Sequence, residues 1–272
     1  MSITLDGIRD VDLGFRVLEG SDDAILPETI NRTMAISGRQ GAWYFGADLG
    51  SRYFGLKCAF VTDGTDYAIP SAIELQKCVR RLATHLTDGY GKPKAIELVL
   101  ERDPEKYYTV RYAGVSPIER IMYSAFGMFT LPLVAYDPNA YLIEPILDSD
   151  IILDSDIRLN GEEYSFDVSG PSINLNVPNV GSLISRPTII VNGNYTNLSI
   201  SANGKTFNFN QAASNKTLTI NGAALTVKYD GVNALSKMNG DFIEIVPGDN
   251  QVSVSGTGLN CSITFIVDPQ FL

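Results

Sequence analysis

At 272 residues, 44% hydrophobic and 19% charged, the chain has the composition of a folded globular protein and length enough for two domains. Its net charge of −10 divides into −3 over residues 1–140 (15 basic, 18 acidic) and −7 over residues 141–272 (6 basic, 13 acidic), so neither half carries the positive footprint that a nucleic-acid backbone needs. No apolar run reaches the roughly 18 residues of a membrane span, and the N-terminus MSITLDGIRDVDLGF lacks the parts of a signal peptide, which reads as a protein made in a cytoplasm.

The first strands are expected at residues 3–5 and 11–18, joined through Asp6-Gly7, with a loop over residues 19–28. Residues 32–36 and 42–45 read as two strands around Ser37-Gly38-Arg39-Gln40-Gly41, which has no Gly-Lys-Ser/Thr ending and is no phosphate cradle. Another strand covers residues 53–61. The helix follows Pro70: Ser71 and Glu74 form a capping box, Leu75, Cys78, Val79, Leu82, Ala83 and Leu86 share one face, and Gly89 is placed as the left-handed cap. His85 falls on the polar side near the helix end, where a lone His reads as a surface or cap residue. Residues 95–101 and 107–113 pair through a turn at Asp103-Pro104-Glu105. Residues 120–123 and 128–136 complete a mostly β first domain, stopped by Asp137-Pro138-Asn139.

Residues 141–170 read as an acidic linker or edge hairpin, with a tandem repeat over residues 146–156 that lacks the Gly and Glu of a calcium loop. Eight strands then recur at residues 188–191, 198–202, 206–209, 217–220, 225–229, 242–246, 252–254 and 261–267. Asn-Gly, Asp-Gly and Pro-Gly dipeptides separate them, among them Asn192-Gly193 and Asn239-Gly240. The fold class is mainly β: an N-terminal β-sandwich with one helix over residues 1–140, and a galectin-like or carbohydrate-binding-module-like jelly-roll sandwich over residues 171–272.

Catalytic chemistry has no foothold. The one His, at a helix end, gives no credible Ser-His-Asp or Cys-His arrangement, no G-x-S-x-G or H-E-x-x-H stands in the chain, and Cys58, Cys78 and Cys261 have no metal-ligand spacing and read as buried thiols. No catalytic, cofactor or metal residue is assigned. Tyr195, after Asn192-Gly193, is the ring expected in an exposed loop and the one candidate glycan contact.

The capped helix of residues 71–86, the Gly91-Lys92-Pro93-Lys94 that leads into a strand, the Tyr107–Tyr112 segment and the stop Tyr136-Asp137-Pro138-Asn139-Ala140-Tyr141 follow one another in a recognisable order. So do Ser185-Arg186-Pro187-Thr188-Ile189, residues 218–222, the segment FIEIVPGDN (residues 242–250) and Asp268-Pro269-Gln270-Phe271. Together they resemble the distal tail protein (Dit) family of long non-contractile-tailed bacteriophages. The resemblance implies a non-enzymatic hub at the virion tail tip, in which N-terminal domains form a hexameric ring. It further implies as partners the tail tube protein, the tail-associated fibre or lysin protein and, in some members, receptor-binding proteins. The acidic repeat has no counterpart in the resemblance. The alternative, drawn from the C-terminal sandwich alone, is an adhesin module that binds host cell-wall glycans.

Overall fold

The strand Arg52–Phe60 buries Arg52, Phe54, Leu56, Cys58 and Phe60 and turns the residues between them outward, the period of two that a half-buried strand imposes. The computed structural model describes residues 2–60, 72–120, 127–143 and 162–272. The chain divides into two compact units, Met1–Ala140 and Tyr141–Leu272.

In the first unit Arg52–Phe60 pairs antiparallel with Gly127–Ala135, from Met128↔Ala59 to Ala135↔Arg52. The path continues through Asp103–Tyr112, Ile96–Leu100 and Ile3–Leu5 to Ile8–Arg9, and on its other side reaches Phe15–Val17. The helix Ala72–Leu86 buries Leu75, Cys78, Leu82 and Leu86, the face its spacing predicts. Below it, the Phe129 ring stacks on Phe60 at 4.4 Å and meets Phe15 edge-on at 6.0 Å. The helix sits directly on the backbone at Gly14, where φ is +88° and a Cβ would lie 2.8 Å from Cys78 Sγ. Buried Arg52 donates to Tyr108 Oη at 2.7 Å and to the Ile25 carbonyl at 3.2 Å.

Several expected boundaries shift for local reasons. Residues 11–14 form a turn rather than strand, closed by Leu13 N–H to Arg9 O and Gly14 N–H to Val11 O. The hairpin after Ile96–Leu100 turns at residues 101–102. Asp103-Pro104-Glu105 therefore belongs to the next strand, and Pro104 is tolerated because the register jumps from Leu100↔Asp103 to Val99↔Tyr107 there. After the helix the left-handed glycine is Gly91, not Gly89; Asp88 Oδ1 accepts from the N–H groups of Tyr90 and Lys92 and shapes that turn. The Ser71 cap and the repeat over residues 146–156 lie outside the described residues.

The second unit is two antiparallel sheets around one core. One runs Glu162–Ser169, Asn260–Val267, Thr188–Tyr195, Ala213–Asn221, Thr226–Tyr229, Val232–Asn233; the other runs Ser172–Asn176, Gln251–Thr257, Asn197–Ala202, Lys205–Phe209, Met238–Gly240. Phe207, Phe209, Ile189, Val254 and Phe265 fill the space between them. Of the expected acidic linker or edge hairpin over residues 141–170, the described end is an edge strand: Glu162–Ser169 pairs with Asn260–Val267 over eight positions, Glu162↔Val267 to Ser169↔Asn260, and Val168 joins the core. Its acidic residues masked the alternation of Tyr164, Phe166 and Val168.

Two turn expectations also fail. Asn192-Gly193 continues a strand, since a Cβ at residue 193 would lie 2.5 Å from the Asn260 carbonyl oxygen and only Gly lets the neighbouring strand come so close. Asn239-Gly240 lies within Met238–Gly240. Residues 242–246 form no strand. They run irregularly, held by a single bridge of Ile245 to Ser185 and by two buried amides. Asn179 Nδ2 donates to the carbonyls of Leu183 (2.9 Å) and Ile245 (3.1 Å). Asn250 Nδ2 donates to those of Val246 and Gly248 (2.8 Å each), while its Oδ1 accepts from Val246 N–H at 3.0 Å and Asn203 Nδ2 at 2.6 Å.

Candidate assembly surface

Thr29–Ala35 and Ala42–Leu49 form a hairpin that, among the described residues, pairs with no other strand. Gly38 and Gly41 take the positive φ angles of its turn. Its two faces both carry large apolar side chains. Met34 faces Trp43 and Thr33 faces Tyr44 across the ladder, and a bulge between Asn31 and Thr33 changes which side chains share a face. Trp43 is 48% exposed, Tyr44 64% and Phe45 63%, and Ile30, Met34, Ile36 and Leu49 are exposed as well. The stabilising contacts within the hairpin are few: Arg39 sits 4.4 Å over the Trp43 ring, and Arg32 pairs with Asp48. A two-stranded ribbon is marginal in water. One that presents its sole Trp and two further aromatic rings to solvent has the character of an interaction surface.

Sequence reading located both strands but ended the second at Phe45 and gave the segment no role. The clue was the unbroken Trp43-Tyr44-Phe45, which a half-buried strand would have alternated with polar residues. A second apolar surface lies on the same unit, a cavity of about 240 Å³ between the helix residues Val79, Leu82 and Leu86 and the rings of Phe60, Tyr112 and Phe129.

Tyr195 is not in a loop. It ends the strand Thr188–Tyr195, pairs with Ala213 and is 3% exposed, so its ring is part of the core and offers no stacking platform to a glycan. Burial, with the neighbouring Tyr229, raises its pKa. His85 stands in the last turn of the helix, as expected, but is half-buried: its side chain is 12% exposed, and Nε2 lies 3.8 Å from Asp6 Oδ2, which Lys94 Nζ also reaches at 2.7 Å. Burial lowers the His85 pKa, Lys94 lowers it further, and Asp6 opposes both. Cys58, Cys78 and Cys261 are free and buried, and burial with the Asp10 charge pushes Cys58 up to about 12. Among the described residues no three His, Cys, Asp or Glu side chains converge as metal ligands.

The chain is thus an antiparallel unit with a packed helix and a hairpin that pairs with no other described strand, followed by a two-sheet sandwich. Residues 11–135 match the model for the phage tail protein RIFT-related domain, and residues 181–267 match that for the siphovirus-type tail component, C-terminal domain. The chain belongs to the siphovirus distal tail protein family, and it is a structural protein of the virion tail. Among solved structures it shares its fold with the Dit protein of phage SPP1, described as a paradigm of the hub adsorption apparatus in phages that infect Gram-positive hosts. The TM-score is 0.69 at 16% identity, over 100% of this chain and 99% of that one. A chain of the phage P2 baseplate in its activated conformation with Ca aligns at a TM-score of 0.41 and 10% identity, over 98% and 97% of the two chains. No curated protein sequence matches this one.

Proposed function

We propose that this protein is the ring-forming hub at the distal end of the tail. Six copies assemble through residues 1–140, assembly takes place in the host cytoplasm, and the chain carries no catalytic activity. The ring joins the tail tube protein on one side to the tail-associated fibre or lysin protein on the other, and residues 171–272, with the strand at residues 162–169, form an appended sandwich that in some relatives holds receptor-binding proteins. The observation that carries this reading is the hairpin Thr29–Leu49, whose exposed rings on both faces need cover that the described residues do not supply. Repetition of one such contact around an axis closes a ring.

Light scattering coupled to size exclusion tests it. The expected mass is six times the 29.6 kDa chain, for the protein alone or after addition of tail tube protein. A chain that stays monomeric with its tail partners present overturns the reading.

A further inference from the structure

The outer face of the five-stranded sheet in the second unit is built almost entirely from short neutral side chains, and at one corner they enclose a space. Ser199 faces Ser255 on one neighbouring strand and Asn208 on the other, and Asn197 faces Thr257 two pairs further along, on the same face. With strands about 4.8 Å apart, this row spans about 10 Å. Asn210 completes the grid at the end of the strand Lys205–Phe209. Together these six residues, with Leu198 and Gly256, line a depression of about 250 Å³, room for one sugar ring.

Elsewhere on the same face the polar groups satisfy one another. Ser201 Oγ and Thr206 Oγ1 are 3.1 Å apart, and Gln251 Nε2 donates to Asn176 Oδ1 at 3.4 Å. In the depression they do not. The side chains of Ser199, Asn208, Asn210, Ser255 and Thr257 make no hydrogen bond among the described residues, and Asn197 uses one acceptor on the Thr257 N–H at 2.7 Å. Ser199, Ser255 and Asn208 are half-buried, and their donors and acceptors, unused among the described residues, stay open to solvent and to a ligand that can replace it.

We propose that this depression binds a neutral saccharide. Each hydroxyl and amide both donates and accepts, which matches the paired hydroxyls of a sugar. No charged side chain lines the site, which disfavours phosphate-bearing polymers, and its scant apolar surface disfavours lipid and the buried core of a protein interface. Without an aromatic ring to stack on, a single site is weak, of millimolar affinity, and serves a protein displayed in several copies through avidity. The site stands apart from Tyr195 and is complete within a single chain, so only its avidity rests on the hub reading.

Saturation-transfer NMR on the full-length protein tests this, with maltotetraose, cellotetraose, lactose and chitotetraose as probes. At least one is expected to receive saturation, to equal extent at low and high salt. Asn208→Ala is expected to weaken that probe about three- to tenfold, the loss of one neutral hydrogen bond. Ser199→Leu, which fills the depression, is expected to abolish binding, while Asn174→Ala on the same face leaves it unchanged. The inference is overturned if none of the four probes binds, or if Asn208→Ala and Ser199→Leu bind as the parent does. It is equally overturned if the only ligand is a glycerol-phosphate polymer released by salt. Since oligomeric mass is measured separately, a failed ring and a failed sugar site are distinguishable.

Discussion

Asn250 shows how one residue replaces a strand. The segment 242–250 crosses the second unit without a ladder, so its backbone polar groups need partners from side chains; Asn250 satisfies the Val246 N–H and carbonyl and shares the Gly248 carbonyl with the Asn179 N–H. Asn250→Ala leaves the Val246 N–H and carbonyl without their partner in a part-buried setting and is expected to cost about 1–2 kcal/mol. Denaturant unfolding checks it, and a midpoint equal to the parent's would refute the role. At His85 the consequence is a pH dependence. Its folded pKa lies below the ordinary value of about 6.5, so the unfolded chain binds more protons and stability falls as pH drops through about 6.5 toward the folded value. Asp6, a carboxyl also held low, acts only in the more acid range. Between about pH 7.5 and about pH 5.5 the loss of stability is expected to be smaller in His85→Gln than in the parent; identical losses would show that His85 does not contribute.

Among the elements, the strand Glu162–Ser169 and the hairpin Thr29–Leu49 have opposite fates. The strand covers the edge of Asn260–Val267 along eight pairs and adds Val168 to the core. A chain that begins at residue 171 exposes that edge, and it is expected to melt more than about 10 °C below one that begins at residue 162, or to aggregate. Equal melting of the two would mean that the strand is dispensable. The hairpin contributes little to its own unit, since its rings are solvent-exposed. Substitution of Trp43, Tyr44 and Phe45 by Ser is expected to change thermal stability by no more than about 0.5 kcal/mol and, under the hub reading, to abolish the sixfold mass. A variant that still forms full-sized rings would move the contact elsewhere.

For the whole molecule, the two units each hold their own core, and their different surfaces suit different work. The first carries the exposed hairpin and the apolar cavity under the helix; the second carries a neutral, polar sheet face. Under the hub reading, residues 1–140 alone are expected to run at six times their own mass. A monomeric first unit beside a hexameric full-length chain would instead place ring contacts in residues 141–272.

The sequence by itself determined the class of fold, because period-two alternation, the apolar face from Leu75 to Leu86 and paired turn residues such as Asn203-Gly204 are local properties that each segment carries alone. It also carried the family likeness, through the order of such segments. Only the tertiary structure decided which apolar residues are covered. Trp43 and Tyr195 are both aromatic residues in strands, yet one projects into solvent and the other packs in a core, because burial depends on which strands pair beyond the hairpin. The grid around Ser199 was illegible for the same reason: five of its six residues come from three strands that only sheet pairing brings side by side, and Asn210 follows one of them.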